Sequence, residues 1–418
     1  RLAVPPLRWR KPAGTRGHAT FDVELTRETP TALRRLSVVA GDGETTPRLE
    51  ASADALLDRR GRLQAVRIPE FRLGGTRLRD LRLTPREAGW RLDVGGGRVD
   101  AAPYLDAPRA DTAGTRNGDD AGSLPGPALT VATRAPLDHV RLGANRRLND
   151  VRVTAKRNAA GSWTDLHLDA RVPARFVRAG DGGDPANGPA LSLDYAPRDD
   201  GRRGLRARAD NTGALLRALG AVDNVTGGNL TVTGRSRTPE PESPLEARVE
   251  LSNFKLRDAP ALAKIFSVAF LTGIGDMLEG EGLSFRRLSG EVVRDGAILR
   301  TNLLHAYGPA IGVTAEGAID LDARTADLSG LIVPAALINR VIGAIPLLGP
   351  VITGGEGQGL IAVSYQVEGD LGDPDISVNP FSALAPGFLR NIFGNLPEGG
   401  GTGPGIPDPR PGPDRQKR

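Results

Sequence analysis

The stretch Val313-Thr-Ala-Glu-Gly-Ala-Ile-Asp-Leu-Asp322 puts Val313, Ala315, Gly317, Ile319 and Leu321 at every second position. Thr314, Glu316, Asp320 and Asp322 lie between them. Further on, Ile361, Val363, Tyr365 and Val367 alternate in the same way with Ser364, Gln366 and Glu368. A period of two is a β-strand with one apolar face and one wet face. Working outward, the same rule covers Phe21–Leu25, Trp90–Val94, Leu166–Val172, Leu191–Tyr195, Leu205–Ala209 and Ala247–Leu251. Gly41-Asp42-Gly43, Gly95-Gly96-Gly97, Gly227-Gly228 and Asp295-Gly296 read as the turns between strands, the signature of an antiparallel meander.

Composition agrees. The 54 glycines and 33 prolines among 418 residues argue against a helical protein. A hydrophobic content of 39% is too high for general disorder, while 4% aromatics is thin for a set of conventional cores. A chain this long does not form one compact core unless it is built by repetition along one axis. A repeat is present. Phe71-Arg-Leu-Gly-Gly-Thr-Arg-Leu-Arg-Asp-Leu-Arg-Leu-Thr84 resembles Val140-Arg-Leu-Gly-Ala-Asn-Arg-Arg-Leu-Asn-Asp-Val-Arg-Val-Thr154. Each copy is followed by a glycine, a tryptophan (Trp90, Trp163) and another alternating run. The expected fold is therefore mainly β: an elongated, curved antiparallel β-sheet groove, repeat-like, with a few short helices near the C-terminal end.

Several chemistries find no support. The chain has no cysteine, which removes disulfides, thiol catalysis and cysteine metal sites. His18, His139, His167 and His305 stand alone, without metal-ligand spacing. Gly354-Gly-Glu-Gly-Gln-Gly359 has no Lys-Ser/Thr after it and leads into a strand, so a glycine turn accounts for it better than a nucleotide site. Asp320 and Asp322 lack the spacing of a calcium loop. Basic and acidic residues number 55 and 50 and are interspersed, with no basic stripe for nucleic acid. The expectation is no enzyme activity, no catalytic or metal-binding residue, no cofactor and no nucleic-acid partner.

Residues 101–127 read as a surface excursion, 180–189 as a loop, and 397–418 as a disordered tail. Three helices are expected near 211–221, 258–278 and 335–345, the first with Leu215, Leu216 and Leu219 on one side. The segment 331–353 is the most apolar in the chain. Pro334, Pro346 and Pro350 break it and Arg340 charges it, so a short helix and turn are expected there rather than a membrane span. Leu337, Ile338, Val341, Ile342, Ile345, Leu347 and Leu348 need burial, either as a cap on the sheet or as a membrane-surface contact. The chain begins at Arg1 without a signal-like start, and any anchor is expected upstream.

From residue 204 onward the sequence resembles AsmA-like C-terminal regions of the YhdP type. The resemblance is carried by Arg208-Ala-Asp-Asn-Thr-Gly-Ala-Leu-Leu-Arg-Ala-Leu-Gly220, Val225-Thr-Gly-Gly-Asn-Leu-Thr-Val-Thr-Gly234 and Gly280-Glu-Gly-Leu-Ser-Phe285. Ile345-Pro-Leu-Leu-Gly-Pro-Val-Ile-Thr-Gly-Gly-Glu-Gly357 and Val378-Asn-Pro-Phe-Ser-Ala-Leu-Ala-Pro-Gly-Phe-Leu-Arg390 extend it. It divides the chain into an N-terminal portion of the groove (1–203) and an AsmA-like region (204–396). It implies a bridge-like lipid transfer protein of the bacterial envelope, periplasmic and anchored in the inner membrane through a segment not in this chain. Its partners would be phospholipids, a membrane surface and other envelope proteins, and its role outer-membrane biogenesis. The expected concave, lipid-lining residues are Ala247, Val249, Leu251, Val313, Ala315, Ile319, Leu321, Ile361, Val363, Tyr365 and Val367, with Glu250, Glu316 and Glu368 on the outside. The alternative is a non-transporting envelope scaffold or outer-membrane assembly factor whose own helices fill the apolar face.

Overall fold

A computed structural model describes residues 3–4, 9–10, 16–26, 29–41, 47–105, 127–179, 181, 188–240, 242–257, 282–334, 363–371 and 374–379. Two short strands, β1 (Ala3–Val4) and β2 (Trp9–Arg10), pair as a separate ribbon. The N-terminal part of the main sheet comprises β3 (Gly17–Thr26), β4 (Thr29–Ala40), β5 (Leu49–Leu57), β6 (Leu63–Leu73), β7 (Thr76–Arg86), β8 (Gly89–Val94) and β9 (Gly96–Asp100). A helical turn, α1 (Ala102–Leu105), follows β9. The middle holds β10 (Ala128–Thr133), β11 (Leu137–Arg141), β12 (Arg147–Arg157), β13 (Trp163–Arg171), β14 (Ala190–Pro197), β15 (Arg203–Ala209) and, after helix α2 (Thr212–Leu219), β16 (Val225–Ser236). The C-terminal part runs through β17 (Leu245–Leu256), β18 (Leu283–Asp295), β19 (Ile298–Tyr307), β20 (Ile311–Asp320), β21 (Thr325–Pro334), β22 (Val363–Asp370) and β23 (Asp375–Asn379).

β3 to β23 form one 21-stranded sheet, and the expected β-groove architecture holds. β8 and β9 are two halves of one line along β7, and β10 and β11 are two halves of one line along β12. The sheet then has nineteen lines of strand, which at 4.8 Å each gives a breadth on the order of 90 Å.

One pairing departs from the expected meander. β10 lies parallel to β8 and β11 parallel to β9, with Val131 beside Leu92 and Val140 beside Val99. A parallel neighbour cannot be reached by a tight turn, because the chain must return along the full strand length first. Residues 101–127 connect β9 to β10, and most of the expected surface excursion lies outside the described residues. Its first residues are pinned: Arg141 donates from Nε and Nη2 to the Asp100 carboxylate at 2.9 and 2.5 Å, and Asp100 accepts from the Ala102 amide at 3.2 Å.

The two rims of the sheet differ. At one, the hairpin rim, tight turns recur. Asp58–Arg62, Asn158–Ser162 and Arg198–Arg202 repeat one turn, in which the first amide donates to the fifth carbonyl (2.8, 2.9 and 2.7 Å). The fourth residue of each is glycine at positive φ: Gly61, Gly161 and Gly201. At the other, the loop rim, β13, β15, β17 and β21 end and β14, β16, β18 and β22 begin.

Two of the four glycine clusters read as turns are not turns. Gly95-Gly96-Gly97 interrupts the β8–β9 line, and Gly227-Gly228 sits inside β16 with φ of 67° and 90°. Both are mid-strand kinks. Arg35, Asp80, Asp150 and Asn253 also take positive φ in mid-strand (49°, 47°, 50° and 56°). Asp80 and Asp150 hold the same place in the two repeat copies, which are hairpins β6–β7 and β11–β12. Register shifts accompany Arg35 and Asp150, and bulges of this kind bend strands and sharpen their twist. Large buried side chains gather on the loop-rim side of these positive-φ positions. They form three clusters: around Phe71 and Leu73, around Leu148 and Val172, and around Phe254, Leu283, Phe285, Ile311 and Ile332.

Candidate functional site: the apolar face of the sheet

Directly paired residues of neighbouring strands share a face, so the registers trace that face strand by strand. Leu230, Leu251, Leu288, Ala306, Val313, Ile332 and Val363 form one unbroken row across β16–β22. Val232, Val249, Gly290, Leu304 and Ala315 form the next, with Tyr365 continuing it beside Gly330. A third joins Gly234, Ala247 and Val292, and Val367 lies on the same side between Leu328 and Ile376. Ile319 faces the same way, between Leu299 and Ala326. Glu250 pairs with Thr231 and Ser289, Glu316 with Ser329, and Glu368 with Asp327 and Asp375, all on the opposite face.

Nine of the eleven expected lining residues are therefore on one face. Leu321 is not: it lies past the end of β20, in the turn, and is 45% exposed. Asp320 ends the strand by accepting the amides of Asp322 and Ala323, so the alternation stops one residue before Leu321. Ile361 lies outside the described residues, as do Leu337, Ile338, Val341, Ile342, Ile345, Leu347 and Leu348, the helices expected at 258–278 and 335–345, and the tail 397–418.

The face extends well beyond residues 204–396. The third row runs back from Gly234 through Leu205, Tyr195, Leu166, Ala155, Val131, Leu92 and Leu83, and then through Val66, Ala55 and Leu33 to Val23 on β3. From Val23 to Val292 every member is apolar, over fourteen lines of strand and on the order of 60 Å. The alternation of these N-terminal runs was legible in the sequence. Their shared row was not, because pairing sets it.

Helix α2 packs on this face, against β16 and the cluster that holds Ala170, Ala209 and Leu191. Asn211 caps it by accepting the Ala214 amide at 2.9 Å, and Gly220 closes it in the left-handed conformation. The buried side is Ala214, Leu215, Arg217 and Ala218, whereas the expected Leu219 is 39% exposed. Two alanines at the contact let the helix lie close to the sheet, and Leu219 has turned past it.

A polar junction missing from the sequence reading fixes α2. Arg217 Nη2 donates to Asp181 Oδ2; the two side chains are 6% and 0% exposed. Arg217 also donates from Nε to the Phe176 carbonyl (2.9 Å) and from Nη1 to the Val225 carbonyl (2.6 Å). Asp181 accepts the amides of Arg178 (2.6 Å) and Gly227 (2.7 Å). Burial pulls the Arg217 guanidinium below its ordinary pKa, against the opposing pull of Asp181. The junction is absent from any linear pattern because its members are separated by 36 residues and lie in a loop and a helix.

The wet face carries the isolated histidines. His167 is exposed and sits 2.7 Å from Asp194. His305 Nε2 lies 3.0 Å from Ser289 Oγ, and burial with the nearby Arg287 lowers its pKa. On the apolar face, burial pushes the Tyr365 phenol up to about 12, and its hydroxyl donates to the Thr314 carbonyl at 2.7 Å. Among the described residues no three His, Asp or Glu side chains are grouped to hold a metal ion, and no helix is long and apolar enough to cross a membrane. No family model, curated protein or solved structure matches this chain.

Proposed function

We propose that this chain is the periplasmic, lipid-carrying part of a bacterial envelope protein, with phospholipid acyl chains lying along its apolar face between the inner and outer membranes. The observation that carries this reading is the unbroken apolar row from Val23 to Val292 on a sheet that has no second sheet packed on it among the described residues. A globular protein covers such a face with another sheet or with helices. Each methylene that a lipid tail removes from water contributes about 0.8 kcal/mol, so tails bind such a face without any catalytic group. Rows of similar aliphatic side chains offer no single deep pocket, which suits sliding along the face. The resemblance of residues 204–396 to AsmA-like regions supports the same reading and the envelope location.

A second reading is a non-transporting envelope scaffold or assembly factor. It draws support from α2, which already fills the face at β12–β16. Mass spectrometry of lipid co-purified with the intact chain separates the two. Bound phospholipid is expected for transport. A lipid-free preparation that stays folded and monomeric overturns that reading and favours the scaffold.

A further inference from the structure

From the mid-strand positive-φ positions to the hairpin rim, the strands β12–β22 place three charged residues on the apolar face, and all three are arginines. Arg157 follows Val153 and Ala155 on β12, beside Leu129. Arg203 precedes Leu205 and Ala207 on β15, beside Pro197. Arg294 follows Gly290 and Val292 on β18, between Leu245 and Leu299. Each is the last apolar-face residue, or next to last, before the hairpin rim. They stand three strands apart, about 14 Å from one to the next. The carboxylates of these strands lie on the wet face: Glu246, Glu250, Glu291 and Asp169 all pair there.

Arg203 is the decisive one. It is 7% exposed, yet it forms no ion pair among the described residues. Its Nη1 donates to the Pro239 carbonyl at 2.8 Å, and its Nε is buried without a partner. A guanidinium does not discard its proton to escape such a site. A buried charge without a counter-ion is costly, and an anion arriving at the rim relieves that cost. An apolar surface ending in a line of cations matches an amphiphile with two apolar tails and an anionic head.

We propose that the hairpin rim binds the phosphate of anionic lipid headgroups, with Arg157, Arg203 and Arg294 as three successive contacts while the tails lie on the apolar rows. This rests on the acyl-chain reading above and adds to it an orientation and a headgroup preference. Free inorganic phosphate shares the chemistry, so the test separates the two.

The intact chain is equilibrated with micelles holding either phosphatidylglycerol or diacylglycerol of the same acyl chains, or with inorganic phosphate alone, and bound ligand is counted by native mass spectrometry. Phosphatidylglycerol is expected to be retained about tenfold over diacylglycerol, the scale of charge-assisted hydrogen bonds. Joint Arg157→Gln, Arg203→Gln and Arg294→Gln substitution is expected to bring that ratio to about one without loss of diacylglycerol. Because Arg203→Gln could impair folding, Arg294→Gln is measured alone: its side chain is exposed, and about a threefold loss of preference is expected. Equal retention of the two lipids by the parent chain overturns the headgroup contacts and leaves the acyl-chain reading standing. Retention of neither lipid overturns both. Arginine-dependent binding of inorganic phosphate without any preference for phosphatidylglycerol overturns the lipid assignment in favour of free phosphate.

Discussion

Arg217 of α2 and Asp181 of the β13–β14 connection form a buried ion pair that ties a helix, a loop and the start of β16 to one carboxylate. Neither partner can be removed alone without stranding a charge. Arg217→Met or Asp181→Ala is expected to cost about 3–5 kcal/mol of local stability, because the remaining charge is left buried and unpaired. Hydrogen exchange at the amides of residues 212–219 reads this directly. Exchange unchanged from the parent would mean that α2 is held by its alanine contacts and not by the ion pair.

On the apolar face the position of a charge decides what it tests. Val363 is fully buried, so a charge there reports on folding. Val249 and Val367 are half-buried and face the rows. Val249→Asp and Val367→Arg are expected to leave the circular dichroism spectrum unchanged and to reduce lipid capture by a photocrosslinker at Ala315 by about tenfold or more, given the cost of desolvating an unpaired charge. Undiminished capture in folded variants would argue against a continuous path through these rows.

The left-handed backbone at Asp150 (φ 50°) makes a graded prediction. Asp150→Gly is expected to be close to neutral in stability, since glycine adopts this conformation freely. Asp150→Val is expected to cost about 1–2 kcal/mol, the penalty of a side chain in that region. Thermal melts of the two variants check this. Equal melting points would show that the bulge relaxes away without a specific residue.

Stability should fall in mild acid. His305 is held below its ordinary value of 6.5 by burial and by Arg287. Below pH 6.5 the unfolded chain takes up this proton before the folded one does, so protonation favours unfolding. The stabilisation is therefore complete above pH 6.5 and is lost as pH falls from there through the lower folded value. His139, lowered by burial and by Arg147 and Arg98, acts in the same direction. Melting temperature followed from pH 8 to pH 5 should drop in the parent and drop less in His305→Gln. Identical pH profiles would remove His305 from the account.

The alternation of apolar and polar residues determined, from sequence alone, that this chain is a broad sheet with one apolar face. It also put nine of the eleven expected residues of the 247–367 region on that face, but not Leu321, which the Asp320 turn takes out of the strand. Period two is a local property, and each strand reports its own two sides whatever it pairs with. Helix α2 was likewise expected at 211–221, because the spacing of its leucines is local, as are the Asn211 cap and Gly220 that bound it. Gly95-Gly96-Gly97 and Gly227-Gly228 could not be resolved in this way: a glycine run serves a turn or a mid-strand kink equally well, and only the partner strands running past it decide. The parallel pairing of β8 with β10 is a choice between strands 39 residues apart. The Asp181–Arg217 junction and the three rim arginines depend on which distant segments meet. Those placements arise from burying α2 and the loop-rim clusters together, and tertiary packing alone sets them.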